Sequence, residues 1–180
     1  MKYILTGLFL MFVLSVEAQV KISKDTLHWN TNIPLKWSDF KGEPKEGRVL
    51  HGQVLCANIA GFQRPSAHYQ IEFHAVTIFD RLNSWMPEDE RTDIGLSYFQ
   101  VMFNIYEVHA RKMRKNYAAS RSVENPDAEF QKKYSTSGIE RSTDLNKYKR
   151  DTKMGLDSTA LDTWRVKVNE ELKTLEAYGK

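Results

Sequence analysis

Read for its apolar and polar positions, the chain divides into a β-forming first half and a helical second half. The clearest strand runs from His68 to Phe79. Tyr69, Ile71, Phe73, Ala75 and Thr77 fall on one face, and His68, Gln70, Glu72 and His74 on the other, the two-residue period of a half-buried strand. From Val76 to Phe79 both faces are apolar, which predicts burial at that end. Val49 to Phe62 reads as a second strand with poorer alternation, in which Gly52 and Gly61 mark bulges or close backbone approach. The intervening Gln63-Arg64-Pro65-Ser66 turn predicts an antiparallel pair. Leu27-His28-Trp29 reads as a short strand. Gly42 and Pro44 end any regular structure that follows Leu35-Lys36-Trp37.

After the acidic turn Glu88 to Arg91, Thr92 or Asp93 is the N-cap of a helix predicted to run to about Tyr117. Its polar stripe is Gln100, Asn104, Glu107, Arg111 and Arg114. Most other positions up to Ala110 are apolar or aromatic, so the helix is expected to be buried on most sides. Glu107 and Arg111 form an i,i+4 pair of small expected value. Lys112, Arg114 and Lys115 read as a solvated basic helix end. Ala118 to Asp127 reads as a loop containing Pro126, Ala128 to Tyr134 as helical, and Ser135-Thr136-Ser137-Gly138 as a break. A charged segment then leads to Tyr148. Leu161, Trp164, Val168, Leu172 and Leu175 recur at helical spacing within a last helix, Ser158 to Tyr178. The expected fold is one α+β domain over residues 19–180: a small antiparallel sheet from the N-terminal half, a long buried helix and C-terminal helices.

Residues 1–18 are read as a signal peptide. Lys2 supplies a basic start, Tyr3 to Leu14 an apolar run, and Val16-Glu17-Ala18 a cleavage site before Gln19. The run is shorter than the roughly 20 residues of a membrane span. The expected mature protein is therefore periplasmic or secreted and does not span a membrane. Cys56 is the only cysteine, which excludes an intramolecular disulfide. Stability must come from packing, for which the chain carries four Trp, eight Tyr and nine Phe. A net charge of +3 without a clustered basic stripe argues against a nucleic-acid partner.

Four pieces, in order, carry a resemblance. Leu35-Lys36-Trp37-Ser38-Asp39-Phe40-Lys41-Gly42-Glu43-Pro44 is similar to an L-x-W-x-D-F-x-G-x-P opening signature. Phe73 through Ser84-Trp85 is similar to a strand ending in Ser-Trp. Tyr98 through Lys115 is similar to a helix H-E-Q-x-H-F-D-I with a basic A-R-K-x-R-K-like end. Tyr148-Lys149-Arg150-Asp151-Thr152-Lys153-Met154-Gly155 is similar to Y-D-x-E-T-x-H-G. On these pieces, and on the closing helix with Trp164, the chain resembles the bacterial secreted zinc-dependent protease family of unknown physiological substrate. The resemblance implies a zincin-like fold with a zinc cofactor. It places the two helix ligands on Tyr98 and Met102, the catalytic glutamate on Phe99 and the third ligand on Met154. The aspartate after the second ligand falls on Asn104, while Gln100, Phe103, Ile105 and Gly155 keep their identities.

Those substitutions remove the chemistry. A catalytic zinc takes three His or carboxylate ligands plus water, a thioether is a poor zinc ligand, and without the glutamate no base takes a proton from metal-bound water. No catalytic or metal residue is therefore expected, and no cofactor. Tyr98, Phe99, Met102 and Phe103 are expected to be core residues filling the vacated space; a ligand pocket lined by Tyr98, Met102 and Met154 is the competing expectation. His109 reads as a packed or solvent-facing histidine. His68 and His74 share a strand face but lie about 20 Å apart, too far for one ion with His51. Neither Cys56 with a histidine nor Ser38-Asp39 with His51 makes a protease signature. The expected role is that of a catalytically inactive, protease-like exported protein that binds a protein or peptide at the cell envelope. An active zinc peptidase with displaced ligands and a purely structural envelope component are the alternatives.

Overall fold

In the computed structural model, residues 25–43, 52–63, 72–118 and 126–179 are described. The expected signal peptide, His51, His68 and the Arg64-Pro65-Ser66 turn lie outside them.

The sheet has three antiparallel strands in the order β1-β3-β2: β1 Thr26–His28, β2 Cys56–Gln63 and β3 Glu72–Asp80. β2 and β3 pair in unbroken register from Cys56↔Phe79 to Gln63↔Glu72. The alternation of β3 is the one its sequence predicts, with Ala75, Thr77 and Phe79 buried and His74 exposed. β2 starts later than expected. At Gln53 the chain leaves β3 and bridges to Trp85 instead. The Leu55 N–H donates to Ser84 Oγ at 3.0 Å, so this part of the expected strand pairs with the segment that follows β3. Gly61 is a close-approach site, because a Cβ there would lie 2.8 Å from the His74 ring.

Helix α1, Asp93–Ala118, begins where the sequence places it. Thr92 caps it, with Oγ1 accepting from the Gly95 N–H at 3.0 Å. It lies at the centre of the molecule, packed against β2, β3, α2 and α3. Helix α2, Pro126–Asp151, contradicts the expected break at residues 135–138. Pro126 is the first residue of the helix, where its missing N–H costs nothing. Beyond it Phe130, Ser137, Leu145 and Tyr148 form one buried stripe, and burial of that stripe outweighs the weak helix propensity of Ser-Thr-Ser-Gly. Helix α3, Ser158–Thr174, is capped by Asp157, whose Oδ1 accepts from the Ala160 N–H at 3.0 Å. It buries Leu161, Trp164, Val168 and Leu172, and a short 3₁₀ turn, Glu176–Tyr178, completes the expected last helix.

Candidate functional site

The segments that carry the resemblance interlock in the folded chain. The Gly42 N–H donates to the Ser84 carbonyl at 2.8 Å, joining the Trp37–Gly42 piece to the Ser84-Trp85 piece. Asp39 is buried, ion-paired with Arg81 at 2.8 Å, and accepts from the Lys36 N–H at 2.9 Å. Phe40 packs on Phe79 and Phe99 with ring centroids 5.1 and 5.5 Å away. Each of these motif residues has a packing or hydrogen-bonding task.

Tyr98 and Met154 come together although 56 residues separate them. The Tyr98 hydroxyl donates to Met154 Sδ at 3.8 Å, a contact bridging α1 and the turn between α2 and α3. Tyr98 itself is 4 % exposed and stacks on Tyr148 at 5.0 Å. The Tyr148 hydroxyl donates to the Tyr98 carbonyl at 2.8 Å, and Tyr148 in turn meets Trp164 edge-on. Gly155, at φ 94°, lies so close that a Cβ would sit 3.1 Å from the Tyr98 ring. A glycine there meets two demands: a left-handed backbone and no side chain.

The other expected core positions divide. Phe103 is buried, while Phe99 and Met102 are half-buried and pack against the same apolar cluster as Tyr98. Met154, expected as the third ligand position, lies at the surface. It is 64 % exposed, because Lys153 and Met154 both take left-handed conformations, φ 49° and 60°, that carry the side chain outward. Of the Tyr98–Met154 pair, only Tyr98 is buried.

This donor set does not fit zinc. Burial pushes the Tyr98 phenol up to about 12, so it keeps its proton at neutral pH. Phe99 offers no donor atom, and Met102 and Met154 offer only thioethers. Among the described residues no three His, Cys, Asp or Glu side chains gather closely enough to hold a metal ion. Cys56 is buried in an apolar cluster, which pushes its thiol well above the usual range. His109 is fully buried rather than solvent-facing, with Nε2 3.0 Å from Asp144 Oδ2 and Nδ1 unpartnered.

The polar stripe of α1, on the opposite side from Tyr98, is not a solvated face. Glu107 is 3 % exposed, and its Oε1 accepts from Arg111 Nε at 3.1 Å and Arg114 Nη2 at 2.6 Å. Arg114, expected in a solvated helix end, also donates to the carbonyls of Ala75 in β3 and Tyr178 in the last turn. Arg111 Nη1 donates to the Leu172 carbonyl at 2.7 Å, and its guanidinium lies 5.0 Å over the Trp29 ring. Further along, the Leu35 N–H donates to Gln100 Oε1 at 2.7 Å, and Gln100 Nε2 donates to Asn104 Oδ1 at 2.9 Å. Trp29 Nε1 donates to the same Asn104 oxygen at 2.9 Å. Trp29, Gln100, Asn104 and Arg111 line a cleft of about 610 Å³ between α1, α3 and the chain after β1, while Glu107 and Arg114 line a separate cavity against β3. The stripe's polarity was legible in the sequence. The cleft was not, because its third wall comes from α3, some 60 residues away from Arg111.

No helix among the described residues is long and apolar enough to cross a membrane. No family model, curated protein or solved structure matches the chain.

Proposed function

We propose that the chain is an exported, catalytically inactive protein with a zinc-protease-like, zincin-type domain, whose role is to bind a protein or peptide at the cell envelope. The single observation that carries this reading is the Tyr98–Met154 contact of 3.8 Å. Only the resemblance to a metal-binding helix and a distant His-Gly segment calls for those two positions to meet. Burial of Tyr98 and the protonated state of its phenol support loss of the metal, and Phe99 cannot serve as a base. Periplasmic or secreted localisation rests on the apolar run and cleavage pattern of residues 1–18.

The test is elemental analysis of the mature protein purified without chelator, together with a casein assay. Far less than one zinc per chain and no chelator-sensitive turnover are expected. Stoichiometric zinc, or turnover that a chelator abolishes, would favour the alternative of an active secreted peptidase with displaced ligands. A converse experiment installs Tyr98→His, Phe99→Glu, Met102→His and Met154→His together. Two histidines at i and i+4 project from one helix face and can share an ion. The variant is expected to gain a zinc-dependent rise in melting temperature. A folded variant with no zinc affinity would count against a metalloprotease ancestry.

A further inference from the structure

We propose that the cleft between Trp29, the polar stripe of α1 and α3 is a binding site for a carboxylate on an apolar body, such as a small organic acid or the free C-terminus of a peptide. The proposal deepens the binding role above. It rests on that reading only in treating the chain as a binder, and it uses no residue of the vacated metal position.

The hydrogen-bond directions on the cleft floor are fixed by donors that have no alternative. The Leu35 N–H and the Trp29 indole N–H can only donate, so Gln100 must turn Oε1 to Leu35 and Asn104 must turn Oδ1 to Trp29. Gln100 Nε2 then donates to the same Asn104 oxygen. Both amide oxygens are used, and Asn104 Nδ2 has no partner among the described residues. Arg111 has Nε on Glu107 and Nη1 on the Leu172 carbonyl, which leaves Nη2, beside Gly179, with no hydrogen-bond partner among the described residues. Its side chain is 8 % exposed, so this is a built, inward-held donor rather than a surface arginine. The floor therefore offers donors from Asn104 and Arg111.

Charge selects among acceptors. Arg111 and Arg114 share one carboxylate, Glu107, so the trio carries one net positive charge, with Arg111 its member on this cleft and Glu107 and Arg114 on the neighbouring cavity. On the rim Lys173 and Glu176 offset each other. A single anionic acceptor completes the set, and hydrogen bonds between ionised partners are the strong ones. Trp29, Pro34 and Leu172 line the rest, which suits an apolar body attached to that anion. A phosphate would bring more charge than the floor can balance and no use for those walls.

Isothermal titration of the mature protein with 3-phenylpropionate and with N-acetyl-Ala-Ala-Leu tests the assignment, each beside its carboxamide. Binding of either acid, weakened roughly tenfold or more in the amide, is expected. Tighter binding of the peptide acid identifies a peptide terminus, and tighter binding of phenylpropionate a small acid. Lys173→Glu should weaken binding, and Glu176→Gln should strengthen it. Both residues are exposed, so neither variant threatens folding. Lys132→Glu, the same charge change on α2, should leave binding unchanged. Amides that bind as well as acids, inorganic phosphate that binds as well as either acid, or no binding by the wild-type protein would overturn the proposal. Zinc content and casein turnover of the same preparation report separately on the non-catalytic reading, so either can fail alone.

Discussion

Single positions show what each side chain or its absence has to satisfy. A Cβ on Gly42 would lie 2.7 Å from the Leu82 carbonyl oxygen and 2.9 Å from that of Ser84, and backbone cannot step aside as a side-chain tip can. Gly42→Ala is expected to cost about 1–3 kcal/mol in chemical denaturation. His109 makes a second case. Burial, then the Lys112 and Arg141 charges, hold its imidazole below the ordinary histidine value against the opposing pull of Asp144. The unfolded chain therefore takes up a proton at higher pH than the folded one. Stability should fall as pH drops below about 6.5 and level off only below the folded value. His109→Gln should flatten that slope in melting curves from pH 7.5 to 5; an unchanged slope would assign it to other groups. In sequence, neither feature was visible. Gly42 reads only as a turn residue, and nothing local to His109 announces Asp144, which lies 35 residues away.

Helices and strands were legible in proportion to how strongly their own period speaks. α1, β3 and α3 follow from apolar spacing: β3 and α3 each bury one well-defined face, and α1 is apolar on most sides. α2 was read as broken because Ser135-Thr136-Ser137-Gly138 favours turns locally, yet its burial pattern continues through Ser137. Nothing lies within 4 Å of a Cβ placed on Gly138. Gly138→Ala should thus stabilise the protein by about 0.5–1 kcal/mol, as expected inside a helix and not at a break. The i,i+4 spacing of Glu107 and Arg111 alone implies only a small contribution. The pair is instead two members of a trio completed by Arg114, with side chains 4, 8 and 11 % exposed, and Glu107→Ala would leave two guanidinium groups without their anion. A loss of about 3–5 kcal/mol is expected, and a loss under 1 kcal/mol would mean that water reaches the trio.

At the scale of the molecule, α1 is the common wall of everything else. Its Tyr98 face closes the position where the resemblance looks for a metal, and its polar face forms the floor of the cleft. The α+β class was legible because sheet-forming and helix-forming periods segregate along the chain. The cleft was not, because Trp29 meets Asn104 across 75 residues, and no local pattern encodes such a meeting. Arg114 ties three parts at once: α1, the Ala75 carbonyl of β3 and the Tyr178 carbonyl of the last turn. Ending the chain after Thr174 should remove one acceptor from that guanidinium and the Glu176 side of the cleft. A melting temperature lower by several degrees is expected in thermal scans, and an unchanged value would show the last turn to be dispensable.

The Arg114 clamp also sets an order of events in time. One of its acceptors, Tyr178, lies 64 residues further along the chain, and its neighbour Arg111 waits for Leu172, 61 residues on. Closing loops of this length is what slows folding relative to local helix formation. A chain emerging from a ribosome or threading a narrow channel can form the helical turns of α1 early. It cannot complete the Arg114 clamp until Tyr178 is free. Until then it should remain cleavable by added protease, becoming resistant in one late step once residues 172–178 are released. Resistance acquired while residues 172–178 are still tethered would show that the clamp closes something already built.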